Sequence, residues 1–213
     1  RLQSQYIHLK NELLRNSSII NVTASGKNLT SRFANYTTVT LDGETTGKTT
    51  PWTFVDNNFF KAFNIPVIAG SDFPEQNRRD TLTDFIINES AAKLLGIGEP
   101  VGKKISALDR KGRIIGVVRD FNLESLHTPV SPVVFVPSES ELANISVKIS
   151  STDMMKTVGF IKEKFTQADP DAIFTYSFLD DSINKLYQGE AKFLQVFSAF
   201  SGLAIFIACL GIV

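Results

Sequence analysis

The last stretch of this chain constrains it most. From Phe193 to Val213 the sequence reads FLQVFSAFSGLAIFIACLGIV, with no charged residue and a single amide, Gln195. A helix needs roughly 20 apolar residues to cross a bilayer core, and helices that are apolar on every side inside soluble domains are usually shorter. Small residues (Ser198, Ala199, Ser201, Gly202, Ala204, Ala208 and Gly211) recur through the run, as in helices that pack against one another in lipid. Glu190 and Lys192 stand just before it, where a membrane interface would place charge. Its position at the C-terminal end excludes a secretory signal. The expectation is an extracytoplasmic domain that re-enters the bilayer near Phe193. Because the run extends to the last residue, the chain is also expected to be a fragment of a longer polypeptide. The competing reading is a buried central helix of a soluble domain.

Residues 1 to 192 suffice for one ordinary domain, or for two small lobes that share a core. With 22 basic and 22 acidic residues the formal charge is zero, so neither a basic stripe for nucleic acid nor an acidic tail for a cationic ligand is present. Seventeen Phe against one Trp and four Tyr reads as packing material. The one cysteine, Cys209, falls inside the apolar run, leaving the preceding domain without disulfides or a thiol nucleophile. That is compatible with a bacterial periplasm. Asn-x-Ser/Thr triplets begin at Asn16, Asn21, Asn28, Asn35, Asn88 and Asn144; in so Asn-, Ser- and Thr-rich a chain they are read as chance rather than as glycan acceptors.

Periodicity places the elements. Leu2, Tyr6, Leu9 and Leu13 fall on one helical face, ended by Asn16-Ser17-Ser18. Ile19 to Ser25 reads as a strand. Tyr36 to Leu41 alternates up to Asp42-Gly43, a hairpin signal, with Thr49 to Val55 as the returning strand. Asp56 or Asn57 is placed to cap a short helix carrying Phe59, Phe60 and Phe63, after which Pro66 and Gly70 break the backbone. Gln76 to Asp84 is polar enough for an exposed loop. Phe85 to Ile87 is a short strand, and Asn88 to Leu95 a helix closed by Gly96 and Gly98. Further strands are expected at Arg113 to Val118, Val133 to Val136 and Asn144 to Ile149. A helix from Met154 carries Val158, Ile161 and Phe165 behind a Ser151-Thr152-Asp153 cap. Phe174, Tyr176 and Phe178 alternate as a last strand, and Asp180-Asp181-Ser182 caps a helix with Ile183, Leu186 and Tyr187 on one side. The pattern is α+β.

Catalytic constellations are not in evidence. His8 and His127 are far apart and lack metal-ligand neighbours at useful spacing. No Gly-x-Ser-x-Gly elbow occurs. Gly96 to Ile105, GIGEPVGKKI, invites a phosphate-loop reading but fails it. That motif needs four residues between its glycines and a Ser or Thr after the lysine, whereas Lys104 follows Lys103 here. Its glycines read as turn positions with unusual backbone angles. The acidic pairs at Asp169-Pro170-Asp171 and Asp180-Asp181 sit at helix ends, where capping accounts for them. Catalytic, cofactor and metal residues are therefore all expected to be absent.

Four phrases together carry a resemblance. VDNNFFKAFNIPVIAGSDF, FIINESAAKLLGIGEPVGKKI and RIIGVVRDFNLESLHTPVSPVVF resemble, in order, the Asp-aromatic-Gly-x-x-Phe, Ile-Asn-Glu-x-Ala…Pro-Val-Gly-Lys and Ile-Gly-Val-Val-x-Asp-Phe blocks of MacB-like periplasmic domains. The apolar run resembles the start of the FtsX-like membrane domain that follows them. The resemblance spans the chain from about Trp52 onward and implies an ABC transporter permease of the MacB/FtsX type in a bacterial inner membrane, its domain facing the periplasm. It implies a porter-like lobe of mixed sheet and helices (1–64 with 138–181), an inserted, mostly β lobe (65–137), a stalk helix (182–192) and a transmembrane helix (193–213). The implied partners are a cytoplasmic ATPase subunit, a second permease copy, a periplasmic adaptor and membrane lipid, with no cofactor and no nucleic acid. The implied role is non-catalytic: ATP hydrolysis elsewhere drives extracytoplasmic movement. From the residues alone, a membrane-tethered ligand-binding or sensory domain is the alternative, and a membrane-anchored hydrolase lacks a nucleophile–base pair.

Overall fold

The computed structural model describes residues 2–27, 35–74, 82–121, 129–150 and 153–180, together with 197, 198, 200 and 201. The expected stalk at 182–192, most of the apolar run, and His127 lie outside the described residues. Among the described residues no helix is long and apolar enough to cross a membrane. The elements run α1 (Leu2–Leu14), β1 (Ile19–Ser25), β2 (Tyr36–Leu41), β3 (Lys48–Val55), α2 (Phe59–Ala62), β4 (Val67–Gly70), β5 (Thr83–Asn88), α3 (Glu89–Leu95), β6 (Lys104–Ala107), β7 (Arg110–Val118), β8 (Val134–Pro137), β9 (Asn144–Ile149) and α4 (Met154–Ala168). The fold is α+β, as the sequence pattern implies.

The strands follow the order β2-β6-β7-β5-β8-β3-β1-β9, with β4 on β7. Because β2 also pairs with β3, from Tyr36 opposite Pro51 to Val39 opposite Lys48, the first six strands of that order close into a ring. Two of its ladders, β3–β8 and β5–β7, are parallel. Both sides of the ring are covered, which explains why β5 and β8 read as unbroken apolar runs instead of alternating ones. Phe85, Ile87, Val134 and Val136 turn to one side, where Val39, Ile105, Ile114 and the α3 residues Ala91 and Leu95 meet them. Ile86 and Phe135 turn to the other, beneath Phe59, Phe60 and Phe73. The Phe60 ring meets Phe135 edge-on at 5.0 Å, a favoured aromatic geometry.

Beyond β3 the sheet narrows. β1 is registered to β3 through one pair, Ser25 opposite Val55, but it pairs with β9 from Ile19 to Ser25. Helices α1 and α4 cover this ladder. Leu9, Leu13, Ile19 and Val22 form their core with Ile145, Val147, Phe160, Ile161 and Phe165. Lys164 donates to Glu12 across the two helices at 3.2 Å, and this hydrogen bond holds the Glu12 carboxyl below its usual range.

Four expectations change. Val67–Gly70, between the expected breaks at Pro66 and Gly70, and Lys104–Ala107, after the expected glycine turns, are strands that periodicity does not assign. β5 starts at Thr83 and β7 at Arg110, both earlier than the apolar runs suggest. No strand forms at 174 to 178; Phe174 instead packs on Phe165 of α4 at 5.3 Å, with Tyr176 against Phe174 at 5.8 Å. The N-cap position of α2 is Asn58, without a side-chain cap bond. Asp56 still serves the helix start, since its Oδ1 accepts from the Asn58 N–H at 3.2 Å.

Candidate functional site

The sequence blocks that carry the resemblance form clasps. In the first, Asn88 ends β5 and caps α3, its Oδ1 accepting from the Ala91 N–H at 3.0 Å. The same oxygen accepts from the Val133 N–H at 2.8 Å, and its Nδ2 donates to the Ser131 carbonyl at 2.9 Å. One amide thus ties α3 to the entry of β8. In the second, Asp120 accepts from the Ser90 N–H at 2.9 Å and the Ser90 hydroxyl at 2.6 Å. Glu89 returns the contact by accepting from the Asp120 N–H at 2.9 Å. The Asn-Glu-Ser triplet and the Asp-Phe pair some thirty positions away are therefore two halves of one fastening.

The glycine-rich stretch serves geometry. Gly96 takes φ 74° as the left-handed C-cap of α3, and its N–H donates to the Lys93 carbonyl at 3.1 Å. Gly102 turns the chain so that its N–H reaches the Ile114 carbonyl at 2.7 Å. The turn-residue reading holds at both positions; Gly98 does not take a positive φ.

The third constellation centres on Asp56, which is 3% exposed. Its Oδ2 accepts from the Tyr6 hydroxyl at 2.6 Å and from Lys10 Nζ at 2.8 Å. Its Oδ1 accepts from the Thr23 hydroxyl and the Asn58 N–H. Asn58 adds donations to the Asn21 side chain and to the Val22 carbonyl, the latter at 3.0 Å. Burial, and then the Asp56 charge, push the Tyr6 phenol well above its usual range, so it remains a donor. Sequence reading takes Tyr6 as one more apolar-face residue and Asp56 as a cap. No local signal joins them, because they stand 50 positions apart.

A groove of about 260 Å³ lies among Ser71, Asp72, Asp84, Val101, Gly102 and Arg113. Asp84 and Arg113 pair across it at 3.1 Å. Burial pushes the Asp72 carboxyl up, and the charge of Asp56 adds to this, while the Phe73 N–H donated to it opposes the shift. An acid whose pKa is raised by folding contributes stability below its unfolded value of about 4, and that contribution is lost as pH rises through the folded value. Asp72→Asn should therefore be more stable than the parent chain at neutral pH, and the two should converge below about pH 4. Denaturant midpoints across that range measure it; a variant no more stable at pH 7 contradicts the sign.

Among the described residues no three His, Cys, Asp or Glu gather to hold a metal. His8 is exposed and Asp169 closes α4. The described residues bring together structural clasps.

The search of curated proteins finds no match. Among solved structures, the chain is similar to the periplasmic region of MacB from Actinobacillus actinomycetemcomitans, at 19% identity and a TM-score of 0.62, covering 85% of this chain and 82% of that one. It is also similar to the extracellular domain of the noncanonic ABC-type transporter YknZ from Gram-positive bacteria, at 17% identity and a TM-score of 0.53, covering 74% and 82%. At such identities these likenesses speak for the fold. A sequence profile of the MacB-like periplasmic core domain matches residues 8–164, which take in the second half of α1, every described strand and the first two clasps, and the chain belongs to that family.

Proposed function

We propose that this chain is the extracytoplasmic part of an ABC transporter permease and that it does mechanical work rather than chemistry. The observation that carries the reading is the family match over residues 8–164 followed closely by an uncharged apolar run at 193–213. In this reading the run is a transmembrane helix in a bacterial inner membrane, and residues 182–192 are a stalk joining it to the periplasmic domain. A cytoplasmic ATPase subunit supplies the energy, a second permease copy completes the assembly, and a periplasmic adaptor is a further partner. ATP hydrolysis then moves the domain to export or extract a substrate. We further propose the two-lobe division into 1–64 with 138–181, and 65–137. Its support is the separate apolar core that β1, β9, α1 and α4 form on their own, although β2 and α2 of the first segment contribute Val39, Phe59 and Phe60 to the cores of the ring.

A stiff stalk is what such coupling needs, since a helix transmits displacement along about 1.5 Å of axis per residue. Inserting several glycines beside Gly189 should leave ATP hydrolysis running while the periplasmic domain no longer moves with it. Single-molecule distance changes measured with and without ATP in the assembled transporter test this, and undiminished movement refutes the reading. A ligand-sensing domain would call for a deep apolar pocket. The groove at Asp72 and Arg113, at about 260 Å³, is smaller than the roughly 300–1,000 Å³ of typical ligand sites.

A further inference from the structure

We infer that Asp56 is the joint through which displacement of α1 reaches the ring, a step that rests on the transporter reading above. The backbone link between the two parts is thin. Besides the Ser25–Val55 pair, it consists of the Gly26 N–H donated to Phe54 at 2.8 Å and the Asp56 N–H donated to Ala24 at 3.0 Å. A strand connection this short can flex about its own axis. Polar side chains supply the remaining rigidity at that point. The Asp56 carboxylate collects donors from α1 (Tyr6 and Lys10), from β1 (Thr23) and from the start of α2 (the Asn58 N–H). Apolar contact alone would let the parts slide, whereas hydrogen bonds fix direction as well as distance.

The apolar filling beside the carboxylate is small. Tyr6, Ala24 and Leu142 are buried there, with Phe54 and Ile145 packed against them. Tyr6 takes part in both layers, its ring in this patch and its hydroxyl on Asp56. Lys10 lies one turn further along the same helix. A pull on α1 therefore loads two side chains that converge on one carboxylate oxygen, and the load passes to β3 and α2 through residue 56 itself. Asp56 is a positioning residue in this scheme; it touches no substrate.

Amide hydrogen exchange on the full chain in nanodiscs tests the joint. In Asp56→Asn, the Gly26 and residue-56 amides should exchange roughly tenfold faster, the scale of losing a hydrogen bond to a charged group. Amides of β5, β7 and the β1–β9 ladder should keep the parental rate. Uniformly faster exchange, as loss of overall stability would give, overturns the joint, and so does unchanged exchange at residues 26 and 56. Should Asp56→Asn fail to fold, Tyr6→Phe keeps the ring and removes one donor, and it must show the same local pattern at smaller amplitude. In the assembled transporter Asp56→Asn should weaken the ATP-driven movement of the ring, which then lags behind α1 and α4. Movement untouched in Asp56→Asn but abolished by the glycine insertion at Gly189 sinks the joint and leaves the transporter reading standing. Movement untouched in both sinks that reading as well.

Discussion

Gly70→Ala should destabilise the chain by on the order of 3 kcal/mol or more, among the largest effects available to a single methyl group. Two independent causes add. Gly70 ends β4 at φ 74°, a conformation that an L residue with a Cβ adopts only under strain. A Cβ built there would also lie 2.1 Å from the Ile115 carbonyl oxygen and 3.0 Å from Gly116 Cα, and neither is a side chain that can swing aside. The close approach has a purpose. β4 lies on β7 with Gly70 opposite Gly116, and the Ser71 N–H donates to the Ile115 carbonyl at 3.0 Å. Three residues on, Phe73 is buried and stacks on Phe60 at 6.0 Å. Displacing residue 70 therefore loosens the strand and withdraws an aromatic ring from the core beneath α2. Gly98 is the control: its Cβ would meet nothing within 4 Å, so Gly98→Ala should stay within about 0.5 kcal/mol of the parent. Urea titration followed by the fluorescence of the one tryptophan, Trp52, measures both, and equal midpoints for the two variants would refute the packing argument.

Gly70 also shows where sequence reading stops. As part of a Gly-x-x-Phe block it is recognisable, and as a backbone breaker it is half understood. That it ends a strand is hidden, because β4 is four residues long and mostly exposed, so no alternation marks it. β6, at Lys104–Ala107, does alternate, with Ile105 and Ala107 buried, but four residues behind a turn rich in glycine are too few for the alternation to stand out. Long elements with one buried face are legible: Tyr6, Leu9 and Leu13 of α1 mark their helix by spacing alone, and β1 and β2 are found with their observed limits. Closure of the ring is not legible, since the parallel pairing of β3 with β8 joins residues some eighty positions apart and leaves no local trace. The alternation at Phe174, Tyr176 and Phe178 illustrates the converse. Period-two spacing gives a segment two faces, but a ladder also needs a neighbour with free backbone groups, and here the rings settle along one another and on Phe165. The Asp56 cluster is the hardest case. Its members are ordinary residues at ordinary spacings, and only the fold gives them one oxygen pair to share.

Asn88→Ala should cost roughly 3 kcal/mol, the sum of a lost helix cap at about 1 kcal/mol and buried backbone groups left unpaired at about 1–3 kcal/mol. The side chain is 2% exposed, so water cannot replace it. Truncation deprives the Ala91 N–H of its cap and the Val133 N–H of its acceptor, and it leaves the Ser131 carbonyl without the Nδ2 donor. The damage should therefore appear in two places that are distant in sequence, the first turn of α3 and the entry to β8. Asn88→Asp separates the contributions. The carboxylate keeps an acceptor for both N–H groups, and a negative charge suits a helix N-terminus, but it has nothing to donate to Ser131 and brings a buried charge with it. We expect Asn88→Asp to fall between the parent and Asn88→Ala. Denaturation midpoints rank the three chains, and hydrogen exchange at Ala91 and Val133 locates the loss. If Asn88→Ala perturbs only the α3 amides, the side chain is a cap and nothing more. Faster exchange at both sites identifies it as the fastening that couples helix to sheet, and it explains physically why the Ile-Asn-Glu-x-Ala block and the Pro-flanked apolar block occur together in one chain.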